Sequence, residues 1–231
     1  VPSSMISQDT RRALKLNVVE GAFAVASDNL AGPYLTLFAM ALNATPSQIG
    51  LLSAFPNLLG NILQIPFGML AETVRDKRIL CIIGGFLARA SWIIIAFLPF
   101  LFPPEQRIAV LIVLASLRIV AANLGGPAWT ALQAGIVPKS IRGKYYANRN
   151  VVLNFCALLV TFAAGFLLSL RFPINYYILF VVAAALGIAS TYVFRQIPFP
   201  PPEEKEKRGG QTTKEYLAVF FRSAQENRNF V

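Results

Sequence analysis

Apolar residues in this chain gather in long blocks, without the alternation of a half-buried strand or the narrow stripe of a surface helix. Six blocks stand out, at residues 16–44, 46–71, 79–102, 108–138, 151–170 and 172–194. Crossing roughly 30 Å of hydrocarbon takes about 20 residues of α-helix, and every block reaches that length. In lipid the backbone must satisfy its own hydrogen bonds, which helices do within one segment. The expected fold is therefore an all-α membrane protein with six transmembrane helices over residues 16–196, preceded by a cytoplasmic segment at 1–15.

Composition agrees with this pattern. Only 14% of the residues are charged, against roughly 25% in an average globular domain. A net charge of +10 raises the question of nucleic acid, and the placement of the basic residues answers it. Arg11, Arg12 and Lys15 precede the first block, and Arg75, Lys77 and Arg78 separate the second from the third. Lys139, Arg142, Lys144 and Arg149 separate the fourth from the fifth, and a further group from Arg195 onward follows the sixth. The alternate loops hold only Arg107 and Arg171. Such alternation places the basic loops in the cytoplasm, giving a multi-pass protein of the cell (inner or plasma) membrane with its amino terminus and residue 231 inside. The partner this requires is the lipid bilayer, and nucleic acid is not needed. Cys81 and Cys156 both fall within blocks, where they act as small apolar residues and not as a disulfide framework. Asn43-Ala44-Thr45 matches a glycosylation sequon, but the turn is short. Thr45 as the cap of the second helix, with Pro46 at its first position, is the preferred reading.

The first and fourth blocks share a motif. Residues 29–36 read Asn-Leu-Ala-Gly-Pro-Tyr-Leu-Thr and residues 123–130 read Asn-Leu-Gly-Gly-Pro-Ala-Trp-Thr. The copies are offset by three helices, so the second enters the membrane from the opposite side. That is an inverted repeat of three helices, as in secondary transporters, with units at 16–102 and 108–194. Proline removes a backbone donor and crowds the preceding turn, so bends are expected at Gly32-Pro33 and Gly126-Pro127. Asn29 and Asn123 are the groups available to satisfy the released carbonyls.

Four ionisable residues interrupt the blocks: Glu20 and Asp28 in the first, Arg89 in the third and Arg118 in the fourth. A charge at the bilayer centre costs at least about 2.5–3.5 kcal/mol on insertion scales, so it has a partner or a function. Two readings follow. The four form buried ion pairs that hold the bundle, or Asp28 and Arg118 line a solute or proton pathway, with Glu20, Asn29, Tyr34, Asn123 and Trp129 beside them. Arg89 reads as structural. The chain has no His, and no Cys or Ser stands beside a recognisable base, so an enzyme is not expected. Neither a cofactor nor a metal is called for.

Residues 68–78 read Gly-Met-Leu-Ala-Glu-Thr-Val-Arg-Asp-Lys-Arg. This resembles the loop between helices two and three of the major facilitator superfamily. Gly68, Leu70, Ala71 and the Lys77-Arg78 pair agree with its pattern, Glu72 stands for the usual Asp, and a Gly near Arg75 and an Arg near Asp76 are missing. Arg118 followed by Gly125-Gly126 is similar to the family's fourth-helix pattern, and residues 138–150 look like its basic loop between helices four and five. The resemblance implies a twelve-helix fold in two halves, with a small-molecule substrate bound between them and access alternating across the membrane. This chain then corresponds to the amino-terminal half, with the missing carboxy-terminal half, or a second copy, as its partner. The resemblance also implies that Gly68, Glu72 and Arg78 form a cytoplasmic gate.

Beyond residue 196 the composition changes. A proline-rich, charged linker is expected at 197–212, and Leu217, Phe220, Phe221 and Ala224 recur at helical spacing, giving an amphipathic helix at 213–231. The overall expectation is half of a secondary active transporter with possible proton coupling. The alternative is a six-helix homodimerising or accessory module without transport of its own.

Overall fold

The computed structural model describes residues 8–199; the expected helix at 213–231 and most of the linker before it lie outside the described residues. Those described form helices and connecting turns, with no strand among them. The helices are α1 (Gln8–Ala31), α2 (Leu35–Ala41), α3 (Pro46–Thr73), α4 (Lys77–Leu101), α5 (Pro104–Ile136), α6 (Arg142–Leu168) and α7 (Ile174–Arg195). Five of them, α3 to α7, are long and apolar enough to cross a membrane. The expected first span is covered by α1 and α2 together, which a 3-10 turn at Gly32–Tyr34 divides.

Local sequence explains several boundaries. Asn43 takes a left-handed conformation (φ 65°), which asparagine tolerates better than most residues, and this closes the tight turn after α2. Thr45 then caps α3: its hydroxyl accepts from the Gln48 amide while Gln48 Oε1 accepts from the Thr45 amide. Two otherwise orphaned donors are thereby satisfied. Asp76 caps α4 by accepting from the Arg78 amide at 3.0 Å. Helix α6 starts at Arg142, nine residues before its apolar block, so Tyr145 and Arg149 are helical and not part of a loop.

The two expected bends differ. Gly32-Pro33 breaks the helix, whereas α5 runs unbroken through Gly126-Pro127. The α5 copy is held between α3 and α4, while Gly32 and Pro33 are exposed. Nor do the asparagines serve both bends as expected. Asn29 Nδ2 donates to Val25 O at 2.9 Å, and Asn123 packs against Gly60 of α3.

Helix α5 packs against α3 and α4, α1 packs against α6 and α7, and α4 meets α7 to join the two groups. At the α4–α5 crossing the backbones nearly touch. A Cβ built on Gly84 lies 2.5 Å from the Ala121 carbonyl oxygen, and one on Gly125 lies 3.2 Å from the Cys81 Cα. Small residues of this kind let membrane helices approach closely. Phe38, Trp92, Leu111, Leu179 and Phe180 form the centre of the core, with Trp92 stacked on Phe180 at 5.3 Å. Helices α3 and α6 turn rows of large apolar residues outward, among them Leu58 and Ile62 on α3 and Leu158, Phe162 and Phe166 on α6.

Candidate functional site

A cavity of about 360 Å³ lies between α1, α4, α5, α6 and α7. Its wall brings together Glu20, Asp28, Arg89 and Arg118, with Trp92, Trp129, Cys81, Thr191 and Arg149. Of the residues expected on a pathway, Glu20, Asp28, Arg118 and Trp129 line it, as does Gly126. Asn29, Tyr34 and Asn123 do not; the Tyr34 hydroxyl donates to Thr161 O at 3.4 Å instead. Sequence reasoning placed Arg149 among topology-setting loop residues and did not single out Trp92.

No direct ion pair joins the cavity's charges. Arg78 and Asp76, outside the cavity, do form an ion pair, at 2.9 Å. Hydroxyl groups carry the internal link. Arg89 Nη1 donates to Thr191 Oγ1 and Nη2 to Ser190 Oγ, both at 3.2 Å. Ser190 Oγ in turn donates to Glu20 Oε1 at 3.0 Å. The carboxylate of α1 and the guanidinium of α4 thus meet on one serine of α7. Glycine makes this possible, because Gly187, one turn before Thr191, lies against the Arg89 side chain: a Cβ there would stand 2.6 Å from Cγ and Cδ.

Arg118 and Arg149 are held differently. The Arg118 guanidinium lies 4.6 Å over the Trp92 ring and that of Arg149 lies 5.9 Å over Trp129, both within cation–π range. The Nε atoms of both are buried without a partner. Arg149 is 8% exposed and fits because residue 21 is glycine: a Cβ there would overlap its Nη2 and lie 3.0 Å from Cζ. Asp28 is exposed on the cavity side, and its field reaches Arg118. Glu20 lies within the fields of Arg89, Arg149 and Asp28, so the charges of the cavity wall act on one another across it.

The expected gate residues sit where α3 passes to α4. Glu72 is exposed at the end of α3. Arg78 is engaged with Asp76 through Nε at 2.9 Å and Nη2 at 3.0 Å, and the hydrogen bonds from Arg78 hold the Asp76 carboxyl below the ordinary carboxylate range. Lys77 Nζ donates to Ala71 O at 2.7 Å, which satisfies a carbonyl at the α3 end. Gly68 has open space around it. At the start of α6, the Tyr145 hydroxyl donates to Leu14 O at 3.0 Å and lies 3.1 Å from Asn17 Oδ1, which ties α6 to α1.

Comparison with known proteins agrees with this picture. The chain is 30% identical over 166 residues to an uncharacterized MFS-type transporter of Methanocaldococcus jannaschii, a stretch covering 71% of this chain and 36% of that relative. The chain therefore spans little more than a third of the relative's length. The sequence pattern of the Major Facilitator Superfamily matches residues 21–228. Five membrane-length apolar helices, ionisable side chains gathered inside the bundle and a family match across nearly the whole chain lead to one assignment: the chain belongs to the major facilitator superfamily.

Proposed function

We propose that this chain forms the amino-terminal half of a secondary active transporter that moves a small solute by alternating access, with the cavity as its share of the central binding site. The observation that carries this reading is the concentration of ionisable side chains around one cavity of about 360 Å³ within an otherwise apolar bundle. Such groups in a membrane interior mark solute or ion pathways. In this reading α1 and α2 together make the first of six spans, and residues 1–15 and the tail face the cytoplasm. The pattern of helix packing supports the inverted repeat. Exchanging α1 with α5, α3 with α6 and α4 with α7 maps the α4–α5 contact onto α1–α7 and α3–α5 onto α1–α6, and leaves α4–α7 on itself. The outward apolar rows on α3 and α6 suit lipid or the second half, and exposed Glu72 suits a basic partner there.

Asp28 is the proposed proton site. It faces the cavity without a direct cationic partner, so its charge is free to respond to solute and to conformation. Reconstituting the full-length transporter with Asp28→Asn and measuring uptake with and without a pH gradient tests this. The expected result is loss of gradient-driven uptake with solute exchange retained; unchanged gradient-driven uptake removes Asp28 from the role.

A further inference from the structure

Three guanidinium groups and two carboxylates face the cavity, so its formal charge is positive by one. Arg89 is joined to Glu20 through Ser190. Arg118, half-buried, lies over Trp92, and Arg149 is the most deeply buried of the three. Arg149 makes no hydrogen bond to any described residue, its Nε is buried without a partner, and it is more than nine-tenths buried. Glu20, which lies in the field of Arg149, is already an acceptor for Ser190 and forms no ion pair with Arg149. A buried guanidinium with unused donors is costly, and its planar fork matches the two oxygens of a carboxylate or phosphate. The close fit against Gly21 and the Trp129 ring fixes that fork in place.

We propose that the cavity takes an anionic solute, its carboxylate or phosphate group bound by Arg149 and its remaining body lying along the Trp129 ring. This rests on the transport reading and names the substrate class for it. Arg149 here contacts the solute directly, while Gly21 acts as a positioning residue by leaving room for the guanidinium.

The test uses the purified full-length transporter in mild detergent and a set of probes sharing one body: benzoate, phenyl phosphate, benzyl alcohol and benzylamine. Acetate and inorganic phosphate serve as probes without the ring. Thermal stabilisation is measured at millimolar concentration for the wild type, Arg149→Gln and Arg149→Lys, with monodisperse elution confirming that each variant is folded. The expected result is stabilisation by an anionic member only. Benzoate against phenyl phosphate distinguishes carboxylate from phosphate, with affinity roughly tenfold or more weaker in Arg149→Gln and intermediate in Arg149→Lys. Stabilisation confined to benzyl alcohol or benzylamine overturns the proposal, as does an anion response that Arg149→Gln leaves intact or the absence of any anion response. The wild-type ranking by charge stands even if the variants do not fold. Uptake of a neutral or cationic probe into proteoliposomes keeps the transport reading while removing the anion; a protein that binds and carries no probe of any charge counts against both.

Discussion

The α4–α5 crossing gives a quantitative prediction. In Gly84→Ala the new methyl would lie 2.5 Å from the Ala121 carbonyl oxygen and 3.1 Å from the Gly125 amide nitrogen, both backbone atoms that cannot rotate aside. Restoring ordinary contact near 3.4 Å requires the helices to part by most of an ångström. Overpacking of this kind costs about 1–3 kcal/mol, while replacing glycine by alanine inside a helix recovers about 1 kcal/mol. Gly165→Ala on the outward face of α6 makes the same helix gain and meets nothing within 4 Å, so the difference between the two variants isolates the crossing. At roughly 2–4 °C per kcal/mol for a chain of this size, Gly84→Ala is expected to unfold roughly 2–12 °C below Gly165→Ala. Thermal unfolding in mild detergent measures this directly. Equal midpoints for the two variants would show that α4 and α5 do not meet at Gly84 and Gly125.

Two further perturbations probe the polar contacts. Ser190→Ala removes the group shared by Arg89 and Glu20 and is expected to destabilise by about 1.5–3 kcal/mol, the range for hydrogen bonds to charged groups; a double-mutant cycle with Arg89→Gln that shows no coupling would refute the link. Asp76→Asn keeps a good helix cap but loses the partly exposed pair with Arg78, at a cost of about 0–1 kcal/mol. Because the Asp76 carboxyl is held below its ordinary range, the charge contributes fully above the unfolded-state value of about 3.9 and is lost as pH falls through the lower folded-state value. The gap between wild type and variant in unfolding midpoint should therefore be constant near neutrality and close in strong acid; a gap that widens in acid contradicts the assignment.

Much of the helical layout is legible in the sequence because uncharged apolar runs are hard to mistake. The blocks at 46–71, 79–102, 108–138 and 172–194 correspond to α3, α4, α5 and α7 within a few residues at each end. Helix α6 begins nine residues before its block because the charged and amide residues among 142–150 break the apolar count. Glu20, Asp28, Arg89 and Arg118 stand out for the opposite reason, as ionised residues in apolar company. Arg149 does not stand out, since it continues a run of basic residues that topology alone explains. Trp92 is one apolar residue among many until the fold sets Arg118 above it. The adjacent pair Gly125 and Gly126 shows the same limit. Sequence marks both, but the first meets Cys81 while the second has open space.

The meeting of α1, α4 and α7 on Ser190 has a mechanical consequence. A direct carboxylate–guanidinium clasp inside a low-dielectric bundle is hard to open, because separating the partners leaves bare charges behind. A neutral hydroxyl on a short side chain pivots about one bond, and such rotations take picoseconds to nanoseconds where space allows. Rotation of that hydroxyl frees Glu20 of α1 from α7 while Arg89 of α4 keeps its bond to Thr191 Oγ1, so the link to α1 is the one a single bond rotation opens.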